Sequence, residues 1–184
     1  VEAIYQGIAF QSELVFSEAG MKELTFPEIT VYESTMDEGG LVVEQLHISF
    51  GMAGEGGVQV FELFTISNLS DKAYVFSTDG TSLPFMPLPD FAIPPSEDYY
   101  SIIAFFSMPY DKGLELSQPL ALPVSSALVV VPEGIKVKAD QLTDEGLQQT
   151  QGGANAQMYT ASGLSAGTQF EMTLSGKVKS AGTS

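Results

Sequence analysis

The sequence predicts an all-β chain: two antiparallel sheets stacked as a sandwich, with no substantial helix. Three observations carry that expectation. Apolar residues recur at every second position along run after run, the rhythm of strands with one face on a core and the other toward water. Turn signals rich in Gly, Asp and Pro separate the runs at the spacing of an all-β domain. Nowhere does apolar spacing of helical period combine with end caps.

From the N-terminus, residues 3–10, 13–16 and 22–32 read as three short extended runs, the last broken at Pro27. In the first, Ile4, Ile8 and Phe10 fall on one face, interrupted by Gln6. Three short strands without partners cannot bury a face of their own. The chain therefore divides into residues 1–36, which join the main sandwich, finish a preceding module or pair with another molecule, and residues 37–184, the main sandwich with a polar C-terminal tail. Asp37-Glu38-Gly39-Gly40 makes the hinge-like turn between them. Leu46, Ile48 and Phe50 then alternate with Gln45, His47 and Ser49. Further turns are expected at Gly54-Glu55-Gly56-Gly57, Asp79-Gly80, Asp111-Lys112-Gly113, Pro132-Glu133-Gly134 and Gly152-Gly153. Pro84, Pro87, Pro89, Pro94 and Pro95 mark a loop-rich or edge region, because proline cannot donate to a ladder. Val129, Val130 and Val131 suit a strand at the centre of the sandwich. Ile135 and Val137, and then Phe170, Met172 and Leu174, alternate again. Residues 139–151 lack an apolar stripe and read as a loop with one short turn; residues 175–184 read as the start of a linker or a frayed tail.

Composition narrows the class of function. The 184 residues carry 23 acidic side chains against seven lysines and no arginine, a net charge of −16, which repels phosphate backbones and argues against nucleic-acid binding. The chain has no cysteine, which removes disulfides, thiolate metal sites and thiol nucleophiles together. The longest apolar run, residues 127–131, is strand-sized, so no membrane span is expected. The chain starts on Val1 instead of Met, as expected of a processed or excised product. The absence of Arg with abundant Gly, Ser and Thr leans toward an extracellular setting.

Two stretches carry a family resemblance. Tyr5-Gln6-Gly7-Ile8-Ala9-Phe10-Gln11-Ser12-Glu13, with Leu24 and Ile29-Thr30-Val31-Tyr32-Glu33, resembles the last strands of a carboxypeptidase-regulatory-like module. Such modules are prealbumin-type, Ig-like domains of bacterial surface proteins. Val43-Glu44-Gln45-Leu46-His47-Ile48, Phe64-Thr65-Ile66-Ser67-Asn68-Leu69, Met108-Pro109-Tyr110-Asp111 and Val130-Val131-Pro132-Glu133-Gly134 resemble a second β-sandwich module. That module follows such domains in uncharacterised envelope proteins of filamentous green bacteria. The resemblance implies an Ig-like or prealbumin-like sandwich and a cell-surface location, and no reaction.

Candidate chemistry is thin. Gly163-Leu164-Ser165-Ala166-Gly167 matches the pattern of a hydrolase nucleophile elbow. It is followed by another strand instead of a helix, and the lone imidazole, His47, precedes it in the chain, so a small-residue hairpin loop is expected. His47 stands on the polar face of its strand, with no second His or Cys to complete a zinc or copper site. The seven methionines are scattered as core filler. Carboxylates at Asp37-Glu38, Asp71, Asp79, Asp90, Glu97-Asp98, Asp111 and Asp144-Glu145 sit singly or in pairs in different loops, as a solvated acidic surface does. Lys136 or Lys138 with Asn68 or Asn155 would be the partners of an intramolecular isopeptide bond. Tyr99, Tyr100 and Tyr110 lie beside loops where they could stack on sugars, though the chain has no Trp.

The expectation is a non-enzymatic, cofactor-free extracellular module of a bacterial envelope that binds itself or a neighbouring envelope protein. Ile4, Ile8 and Phe10 supply strand pairing, and a filament is one product of repeating it. The alternatives are a carbohydrate-binding module using Tyr99, Tyr100 and Tyr110, with calcium as a possible aid, and an accessory domain of a larger envelope enzyme or transporter.

Overall fold

A computed structural model of the chain describes residues 1–13, 15, 16, 20, 22–53, 56–76, 92–111, 113–150 and 153–178. Fourteen strands make up nearly all of its regular structure: β1 (Glu2–Tyr5), β2 (Ile8–Gln11), β3 (Ser34–Thr35), β4 (Leu41–Ala53), β5 (Gly57–Asn68), β6 (Ala73–Val75), β7 (Ala92–Ile93), β8 (Ser96–Pro109), β9 (Gly113–Pro119), β10 (Val124–Pro132), β11 (Ile135–Lys138), β12 (Thr143–Gln149), β13 (Asn155–Leu164) and β14 (Gln169–Gly176). The sole helical element among the described residues is a 3₁₀ turn at Glu38–Gly40, where Asp37 Oδ1 accepts the Gly39 N–H at 3.0 Å. The all-β expectation holds.

Two layers form the sandwich. One is a six-stranded sheet in the order β12-β13-β10-β4-β5-β8, and the other a three-stranded sheet in the order β11-β14-β9. Pairing is antiparallel except between β4 and β10, which run parallel, and between β3 and β6. The alternation read from sequence sorts the core. Leu46, Ile48 and Phe50 of β4 and Val129 and Val131 of β10 are buried together with Ile135, Val137, Phe170, Met172 and Leu174 of the smaller sheet. The sheet β3-β6-β7 adds Tyr74, Phe76 and Ile93 to the same core. Two hydroxyls tie the layers: Tyr159 accepts the Val137 N–H at 3.0 Å, and Tyr110 donates to the Gly176 carbonyl at 3.0 Å.

Gly176 is where the backbone is most crowded. Its φ is +107°, and a Cβ there would overlap the Gly134 carbonyl of the facing turn. Gly176→Ala combines a left-handed backbone with a clash against main chain, which cannot rotate away. We expect it to lower the unfolding free energy by about 2 kcal/mol or more, read by urea denaturation.

Three expectations need correction. Residues 3–10 are not one extended run. Gln6 (φ 51°) and Gly7 (φ 81°) form a two-residue reverse turn, and β1 and β2 pair as a hairpin with Tyr5 opposite Ile8 and Ile4 opposite Ala9. The turn shifts the side-chain phase, so Ile8 and Phe10 share one face with Ala3 and Tyr5 while Ile4 lies on the other. The described parts of 13–16 and 22–32 form no strand. Residues 139–151 are not simply a loop: β12 pairs with β13 as the outermost strand of the large sheet, with a bulge between Asp144 and Gly146. Its side chains are mostly exposed, so it needs no apolar alternation, and a polar, bulged edge is what discourages unwanted pairing. Of the proline-rich stretch, Pro84, Pro87 and Pro89 lie outside the described residues, as do Asp79-Gly80 and Asp90; Pro94 and Pro95 separate β7 from β8.

Candidate functional site

The N-terminal hairpin is a two-stranded sheet of its own. The bond from Ser12 N–H to the Val1 carbonyl, 3.0 Å, extends the ladder one pair beyond β1 and β2. In a hairpin closed by a two-residue turn, this fixes Tyr5/Ile8, Ala3/Phe10 and Val1/Ser12 as the bonded pairs. The N–H groups of Glu2 and Ile4 therefore point outward along β1. Ile4 is 71% exposed and Val1 65%. On the other face Phe10 is buried, its ring 6.1 Å from that of Tyr32. Gln6 Oε1 accepts from the Ser34 N–H (3.0 Å) and hydroxyl (2.9 Å), fastening the turn to β3.

Beside β2 lies a cleft of about 490 Å³ whose walls include Phe10, Tyr32, Pro94, Pro95 and Tyr100. The tyrosines singled out from sequence do not gather there. Tyr100 lines it, and burial pushes its phenol up, against a smaller opposing effect of the Ser96 hydrogen bond. Tyr99, 63% exposed, follows the pleat to the opposite face. Tyr110 is buried in the sandwich as the tie to Gly176.

The remaining candidates separate in the same way. Ser165 sits in the turn joining β13 to β14, the hairpin loop expected for it. His47 is on the outer face of the large sheet, with Leu63 on one side and Leu128 on the other. It shares the polar face of β4 with Gln45 and Ser49, as expected, although its cross-strand neighbours are apolar, and burial lowers its pKa, favouring the neutral ring. Its Nε2 is 3.1 Å from Ser49 Oγ. Among the described residues no three His, Asp or Glu side chains converge as a metal would require. The carboxylates of Asp144 and Glu145 are taken up by Gln157 and Thr160. Asn68 is buried and fully engaged, donating to the Lys72 and Ile93 carbonyls and accepting from Ser70, while Asn155 bonds Glu133. Neither Lys136 nor Lys138 is among these partners.

Two buried polar side chains escaped the sequence reading. Glu62 on β5 and Gln118 on β9 enter the interior from opposite layers, and neither has a hydrogen-bond partner among the described residues. Desolvation raises the Glu62 carboxyl from 4.5 to about 7. The signal was present: Glu62 keeps phase with Val60 and Phe64, both core residues.

No family model matches the chain, and no curated protein is similar to it.

Proposed function

We propose that the protein is a non-catalytic, extracellular module of a bacterial cell envelope, an Ig-like or prealbumin-like sandwich that joins copies of itself or neighbouring envelope proteins by β-strand pairing. The hairpin carries this reading. Two strands alone are marginal in water, yet here they stand beside the main sheets with an outward N–H row and an exposed Ile4 on β1. Such an edge can add to a neighbour's sheet, main-chain bonds giving affinity and side chains specificity. Repeated head to tail, the contact builds a filament, and the acid excess keeps free protomers soluble. A carbohydrate-binding role is favoured by the aromatic and proline walls of the cleft around Tyr100 and Tyr32. It loses Tyr99 and Tyr110, which face elsewhere.

Ile4→Pro tests strand pairing. It removes one outward N–H while leaving the bonded pairs of the hairpin intact, as proline permits on an edge strand. Light scattering is expected to show the full chain forming assemblies larger than a dimer and the variant failing to, with an unchanged melting temperature. A variant that still polymerises, or a full chain that forms no such assemblies at high concentration, contradicts the reading.

A further inference from the structure

The outer face of the six-stranded sheet is a second surface, independent of the hairpin. Strand register aligns its side chains in rows. One row runs Thr160, Leu128, His47, Leu63, Ile103, and the next Met158, Val130, Ser49, Phe61, Phe105. A third row, Ser162, Ser126, Gln45, Thr65, Ser101, borders them. None of these side chains on β13, β10, β4, β5 and β8 is a carboxylate or a lysine, and burial favours the neutral form of His47. In a chain of net charge −16, that is a local exclusion of carboxylates. Two described carboxylates stand at its margins: Glu44 in the β4 bulge, bonded to Ser67 and Ser125, and Glu145 on β12, bonded to Thr160.

Two of its apolar residues stand open to solvent, and the others are half-buried. Phe105 is 63% exposed and Ile103 is 53% exposed, whereas the solvent face of a lone antiparallel sheet is ordinarily polar. Five strands and the rows they carry span roughly 20 by 24 Å. That makes a patch of about 500 Å² in projection and more in accessible area, near the ~800 Å² per partner of a stable interface.

We propose that this face closes a symmetric dimer with a second copy of the chain. Charge selects that occupant. Two chains this acidic repel one another across the rest of their surface, and here they can meet without bringing carboxylates together. A basic partner would be drawn to the carboxylates instead. Two like-twisted sheet faces can stack on one another about 10 Å apart with interdigitated side chains. The same patch on both copies makes the contact isologous, so it stops at two. The hairpin contact, by contrast, propagates.

Sedimentation velocity on the full chain, Ile4→Pro and Phe105→Glu separates the two contacts. Because Phe105 projects into solvent, its replacement leaves the fold intact. Ile4→Pro is expected to sediment as a dimer at concentrations of roughly 10–100 µM, and adding Phe105→Glu to weaken that dimer by ~10-fold or more. The chain has no native cysteine, so Ser49→Cys near the centre of the face gives a clean second readout. A short thiol cross-linker should trap its dimer, and should not trap Ser117→Cys on the opposite layer. Ile4→Pro that is monomeric throughout, a dimer indifferent to Phe105→Glu, or equal cross-linking at both cysteines overturns the proposal. Each leaves the hairpin reading to be judged by its own variant.

Discussion

Glu62→Leu is expected to raise the unfolding free energy at pH 8 by about 3 kcal/mol, an unusual direction for a change in a buried residue. Glu62 is fully buried between Ile48 of β4 and Ala104 of β8, with no hydrogen-bond partner among the described residues. Desolvation raises its carboxyl from 4.5 to about 7. The sign follows from linkage. The folded state holds the proton more tightly than the unfolded chain, so this group's contribution is fully present below pH 4.5. It is lost as pH rises toward 7 and stays lost above. A leucine has no such dependence and suits the apolar surroundings, in keeping with buried charges that are replaced without loss. Urea denaturation of both proteins at pH 4, 6 and 8 should therefore show a gap that widens with pH. Repulsion among the other carboxylates is common to both and cancels. A gap independent of pH would mean that the Glu62 carboxyl titrates in the fold as it does in the unfolded chain.

Asn68→Ala is expected to act in the opposite direction, costing about 3 kcal/mol. The Asn68 side chain joins three segments at the end of β5. Its Nδ2 donates to the Lys72 carbonyl at 2.8 Å and the Ile93 carbonyl at 2.7 Å, and its Oδ1 accepts from the Ser70 N–H and hydroxyl. Alanine strips the buried Ile93 carbonyl of this donor and releases the turn that leads into β6. Asn68→Asp keeps the acceptor for Ser70 but presents oxygen to two carbonyls, so it should cost as much or more. If aspartate were tolerated and alanine not, the bonds accepted from Ser70 would hold the turn and the two donations to carbonyls would contribute nothing.

The core was legible in the sequence because burial on one face imposes a period of two. Leu46, Ile48 and Phe50, or Phe170, Met172 and Leu174, could only lie as they do. Where no such constraint acts, the reading failed. β12 is exposed on both faces, so Asp144 to Gln149 show no rhythm, and only pairing with β13 makes them a strand. In the hairpin, the turn places Gln6 at positive φ, a position usually given to Asn, Asp or Gly. Ile4 was consequently assigned to the wrong face. The sheet's outer surface was missed for a different reason. Residues 102–106, Ile-Ile-Ala-Phe-Phe, are apolar without interruption; that is the mark of a strand whose two faces are both apolar, and neither Ile103 nor Phe105 belongs to the core.

Strand pairing through the hairpin is tested most directly by residue-resolved hydrogen exchange at low and high protein concentration. The outward amides of Glu2 and Ile4 should exchange freely in dilute solution and slow strongly as assemblies form, while the inward amides of Ala3 and Tyr5 change far less. If Glu2 and Ile4 exchange equally fast at every concentration at which the chain assembles, β1 is not the joint.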